Sequence, residues 1–126
     1  MLMTYASPAD AAAQLCDQEI VTVELFQGVL QRQPGIERIK EDARYVSYAD
    51  RDAQIVWNFT TSANPAHPAV VCRRIVQTGE TIAVETTSLC GGPQPACERM
   101  MQDFEQLDKS LGQYMQNQSA DPSTAQ

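Results

Sequence analysis

The chain is poor in positive charge, in aromatic residues and in histidine. It holds nine lysines and arginines against sixteen acids, for a net charge of −7, and its pI is near 4.5. Nucleic-acid affinity rests on Lys and Arg neutralising phosphates. The few present do not cluster beyond Arg73-Arg74, which argues against a nucleic-acid role and equally against an anionic membrane surface. No run of about eighteen apolar residues occurs, so no transmembrane helix and no membrane insertion are expected. No CxxC pair occurs, and His67 is the only histidine, so neither a Cys/His metal site nor a cofactor is expected. P-loop, GxSxG, HExxH, EF-hand and GxGxxG patterns are missing. The chain therefore reads as a non-enzyme.

The start, Met1-Leu2-Met3-Thr4-Tyr5, has neither the basic nor the apolar region of a signal peptide. Either the protein is cytoplasmic, or a leader has been cut away and replaced by a start methionine. The four cysteines bear on that choice. An even count without CxxC favours disulfides and an oxidising, periplasmic or secreted address; the alternative is four buried thiols. Cys90 and Cys97 stand seven apart around two glycines and two prolines, a segment able to curl back into a disulfide. The competing reading is a nucleophilic or redox-active Cys90, which would need a base nearby. Cys16 and Cys72 then remain for a second bridge, although spacing alone does not fix connectivity.

At 126 residues the chain reads as one α+β domain over 1–116, followed by a frayed polar tail over 117–126. Ser7, Pro8 and Asp10 suit a helix start, and apolar spacing predicts helix over 8–32, broken near Ile20. Pro34-Gly35 ends it. Ile36–Asp42 reads as a charged connector. Strands follow at 44–48, 54–60, 70–76 and 82–87, an antiparallel meander of about four. Ile55, Trp57 and Phe59 alternate onto one face and form the candidate core, with Trp57 expected against the last helix near Met101 or Phe104. That helix opens at Pro95. Its stripe of Cys97, Met100, Met101, Phe104, Leu107, Leu111, Tyr114 and Met115 should pack on the sheet. Glu98, Asp103 and Glu105 read as its solvated face.

Asn64-Pro65-Ala66-His67-Pro68 is the most distinctive stretch. It is either a rigid loop presenting His67 to a ligand or a stiff surface connection. Arg73 and Arg74 must point to opposite faces of their strand, and the one on the more buried side needs a partner there, in a structural ion pair with an acid such as Glu85 or at an anion site. With Trp57 they complete the candidate binding residues. The sequons at Asn58 and Asn117 are short and frequent by chance, and are discounted.

The segments Val56-Trp57-Asn58-Phe59-Thr60, Pro65-Ala66-His67-Pro68-Ala69-Val70-Val71 and Cys90-Gly91-Gly92 with Cys97 resemble a group of small exported proteins of Gram-negative bacteria. The resemblance covers about residues 45–110. It implies a cleaved leader and a periplasmic address, and supplies no activity. The resulting expectation is a non-catalytic cell-envelope domain that binds a protein or small ligand. A ligand or enzymatic pocket between sheet and helices is the runner-up, and a toxin-neutralising immunity protein the third reading.

Overall fold

The computed structural model describes residues 13–120, with side chains through Tyr114. Within them lie a two-stranded hairpin, a short helix, a five-stranded antiparallel sheet and a long final helix. The hairpin is β1 (Ala13–Leu15) and β2 (Gln18–Ile20), followed by α1 (Val23–Gln31). The sheet runs β3 (Ile36–Glu41), β4 (Tyr45–Asp50), β5 (Ile55–Thr60), β6 (Ala69–Thr78) and β7 (Thr81–Cys90) in sequential order. The final helix is α2 (Gln94–Ala120). The α+β class and the antiparallel meander stand as read from the sequence.

Two boundaries differ. Within the described part of the helix expected over 8–32, Val23–Gln31 is helical and residues 13–20 form the hairpin instead; the Ser7-Pro8-Asp10 start lies outside the described residues. Alanine favours helix, but Cys16 and Asp17 take positive φ of 48° and 66°, the conformation a two-residue hairpin turn requires. The Cys16–Cys72 disulfide ties that turn to β6. Helix α1 begins where Thr22 caps it, its hydroxyl accepting from the Leu25 N–H at 3.1 Å. The expected connector over Ile36–Asp42 is strand β3. Its charged sequence marks an exposed sheet edge, where one side of the backbone faces water.

Alternation assigns the two faces of the sheet. Tyr48, Trp57 and Cys72 are paired across β4, β5 and β6, and pack with Ile55, Phe59, Val70 and the α1 residues Val23, Phe26 and Leu30. The Phe26 and Trp57 rings meet edge-to-face at 4.9 Å. Trp57 therefore faces α1 rather than α2, correcting the expectation. Odd-numbered β5 residues all turn one way; nothing in the pattern says which helix lies there.

The opposite face carries Ala69, Val71 and Tyr45 against Ala66, Met100 and Phe104. Among the described side chains of the predicted α2 stripe, only the first half packs. Leu107, Leu111 and Tyr114 are exposed, because Asp108 takes the inward position and binds Arg73 and Thr86. Twenty-seven residues span about 40 Å at helical rise, longer than the ten-residue strands it crosses. Helix α2 continues to Ala120; 121–126 lie outside the described residues. No described helix is long and apolar enough to cross a membrane.

Both expected bridges are present, Cys90–Cys97 and Cys16–Cys72. The first staples the end of β7 to the first turn of α2. The two irregular loops meet there. The Gly91 N–H donates to the Pro68 carbonyl at 2.8 Å, and a Cβ on Gly92 would lie 2.5 Å from the Ala66 carbonyl oxygen. Position 92 admits no side chain for that reason.

Candidate functional site

A groove of about 670 Å³ opens on the α2 side of the sheet, beside the helix. Its floor is Ser47 on β4 and Asn58 on β5, paired directly across the two strands. Val56, Ile39 and Leu107 form apolar walls, and Tyr45 and Phe104 close one end with rings edge-to-face at 5.6 Å. Arg73, Arg44 and Lys40 bring positive charge to the lining; Asp42 and Asp103 bring negative charge.

Local chemistry shapes each part. The β3–β4 turn is held by Asp42, whose Oδ1 accepts from the Arg44 and Tyr45 N–H groups at 2.8 and 2.9 Å. The Tyr45 hydrogen bond first, then that from Arg44, holds the Asp42 carboxyl below the usual carboxylate range. The Arg44 carbonyl accepts from the Thr61 N–H and the Asn64 amide, fixing the turn to the loop after β5. Arg73 donates through Nε and Nη2 to Asp108 Oδ1 at 3.0 and 2.7 Å, and its guanidinium carbon sits 5.6 Å from the Phe104 ring centre.

The floor contains an unfinished hydrogen-bond arrangement. Ser47 donates to Asn58 Oδ1 at 2.7 Å, which orients the amide. The Asn58 Nδ2 has no protein partner, and the residue is 8% exposed. A buried donor left unmade costs about 1–3 kcal/mol, so this amide is a poor choice for packing alone.

Of the four candidate binding residues read from sequence, only Arg73 lines this groove. Trp57 is buried on the other face. Arg74 points to that face too and pairs with Glu85 at 2.7 Å and Asp17 at 3.4 Å. The Glu85 hydrogen bond is the main cause that raises its pKa. His67 is half-buried in its loop, with Nδ1 at 2.8 Å from Thr60 Oγ1 and 3.2 Å from the Thr60 carbonyl. The expected constellation of His67, Arg73, Arg74 and Trp57 does not converge.

Sequence reasoning missed Ser47, Asn58, Tyr45 and Asp108. Two signals were available. Asn58 alternates with apolar neighbours in a strand otherwise fit for burial on both faces. Asp108 interrupts the α2 stripe between Phe104 and Leu111.

A second groove of about 650 Å³ runs along the other flank of α2, between Ile82 and Val84 of β7 and Met101, Glu105 and Lys109. Among the described residues no group of three or more His, Cys, Asp or Glu is arranged to hold a metal ion. No family model, curated protein or solved structure matches the chain.

Proposed function

We propose that this chain is a non-catalytic binding domain of the cell envelope, and that it engages its partner or ligand in the Ser47–Asn58 groove. The observation that carries the reading is the Asn58 amide, buried in the groove floor with its nitrogen unpartnered. Apolar walls around a few oriented polar groups are the usual make-up of a binding site. The cysteines and the histidine singled out from sequence are engaged elsewhere. All four cysteines are in disulfides, and the His67 Nδ1 is against Thr60. Two disulfides suit an oxidising compartment, and the resemblance to small exported proteins points to the periplasm.

A small-ligand site is the second reading. The groove's volume of about 670 Å³ falls among small-molecule pockets, which run from about 300 to 1,000 Å³.

The test is capture from a periplasmic extract, with bound species identified by mass spectrometry. Leu107 is half-exposed on the groove wall, so Leu107→Arg fills the groove without touching the core. Wild type should retain a species that Leu107→Arg loses. Equal capture by both proteins would rule out the groove.

A further inference from the structure

We infer that a second copy of this chain docks along β7, edge to edge about a two-fold axis, so that the two sheets join and the two α2 helices lie side by side. The Ser47–Asn58 groove lies on the other flank of α2 and stays open in that pair.

Among the described residues, β7 has β6 as its one strand neighbour. Thr78 and Thr81 are paired across the turn made by Gly79 and Glu80, which makes them the hydrogen-bonded pair that closes a two-residue hairpin. Odd-numbered β7 residues then bond to β6. The Gly91 N–H, donating to the Pro68 carbonyl, continues that phase. Even-numbered residues, Ile82, Val84, Thr86 and Ser88, therefore direct their N–H and C=O groups away from the sheet. On the hairpin side of β7, Ala83, Glu85 and Thr87 are exposed, so the β1–β2 hairpin leaves the edge open there. Such a row of alternating donors and acceptors is matched by another extended strand.

The flank of α2 beside this edge selects a copy of the same chain. Glu105 and Lys109 line the second groove together with Ile82, Val84 and Thr86. Both are exposed, and neither is in an ion pair among the described residues. Helix α2 runs back along β7, from Cys97 bridged to Cys90 to Asp108, which accepts from the Thr86 hydroxyl. A two-fold axis at Thr86 sets Val84 opposite Ser88 of the second copy and Glu85 opposite Thr87, so no like charges face each other across the strands. The same axis passes α2 near Leu107 and reverses the second helix. Glu105 then stands opposite Lys109 of the second copy, and the pairing occurs twice. Gln102 meets Gly112 in the same way, where nothing lies within 4 Å of the Cβ position. An unrelated extended peptide would satisfy the backbone of β7 but bring no second helix to these two charges. A ten-residue strand gives a contact about 33 Å long, small for a permanent interface, so the pair should form in a concentration-dependent way.

The experiment is sedimentation of the full, oxidised chain from micromolar to submillimolar concentration, where a monomer–dimer equilibrium is expected. Val84→Pro removes an outward N–H and leaves the ladder to β6 whole. It should give a folded monomer, with the melting temperature as the check on folding. Glu105→Lys and Lys109→Glu should each weaken the dimer about tenfold, the summed effect of two surface pairs turned from attraction to repulsion. Mixed in equal amounts, these two variants regain both opposite-charge pairs and should associate about as tightly as wild type. A monomer throughout the concentration range would overturn the inference, and so would a dimer that persists in folded Val84→Pro. Single charge variants whose mixture associates no better than either alone would overturn it too. If Val84→Pro fails to fold, the mixture of charge variants decides.

Discussion

Asp108 anchors α2 to the sheet through Arg73. Both side chains are nearly enclosed, at 13% and 14% exposure, and the other Asp108 carboxylate oxygen accepts from the Thr86 hydroxyl. Asp108→Ala leaves a mostly buried guanidinium without its counter-charge. The expected loss is roughly 3 kcal/mol, the low end for breaking a buried pair, since both groups keep some water. Replacing both partners by leucine should restore most of that loss. Urea denaturation of the two single variants and the double variant gives the coupling directly.

Trp57→Ala should destabilise by about 3–5 kcal/mol, as expected for removing a large buried aromatic side chain. Its partner is Phe26, so a double-mutant cycle of Trp57 and Phe26 should show about 0.5–1.5 kcal/mol of coupling. The same cycle with Phe104 should show none. Coupling to Phe104 instead would reverse the assignment of the two faces.

The two disulfides should differ in worth. Cys16–Cys72 closes a span of 56 residues and Cys90–Cys97 one of 7. By the loop-entropy account their removal as Cys→Ala pairs should cost about 4 and about 2 kcal/mol. Chemical denaturation of the two double variants measures the order. The reverse order would mean that the short bridge acts through the seating of α2 rather than through chain entropy.

His67→Ala should lower stability by about 1 kcal/mol through loss of the Thr60 contact, and should leave capture from extract intact. Loss of capture with unchanged melting temperature would return His67 to the binding site.

The Asp42 carboxyl should titrate below its ordinary value of 3.8, followed by carbon-detected NMR. A folded pKa below the unfolded one means that the contribution is fully present above the unfolded pKa. It is lost as pH falls through the folded value. The β3–β4 turn should therefore loosen only in strong acid, and Asp42→Asn should remove that acid step from its amide shifts.

The sheet was legible because β4 to β7 alternate and are punctuated by turn residues. Gly79, at φ 62°, makes the β6–β7 turn with Glu80, as the residues suggest. The hairpin at 13–20 was hidden because Cys16 and Asp17 adopt a glycine-like backbone without glycine, held by a disulfide to distant β6 and an ion pair to Arg74. The groove was hidden for a related reason. Ser47 and Asn58 stand eleven residues apart, and only the strand register makes them a pair. Arg73 was singled out for its charge, yet its partner Asp108 lies thirty-five residues away on an element whose placement the local pattern does not specify.

The charged edge strand β3 has a consequence for assembly. Glu37, Arg38, Lys40 and Glu41 are exposed along it, and its register slips between Arg38 and Lys40. Charge and a bulge both discourage another strand from adding there. A second copy joining by strand addition would have to use β7. Two copies paired at β7 about a two-fold axis would present β3 at both outer ends. Growth would stop at two, and an open-ended fibre built by extending this sheet is disfavoured.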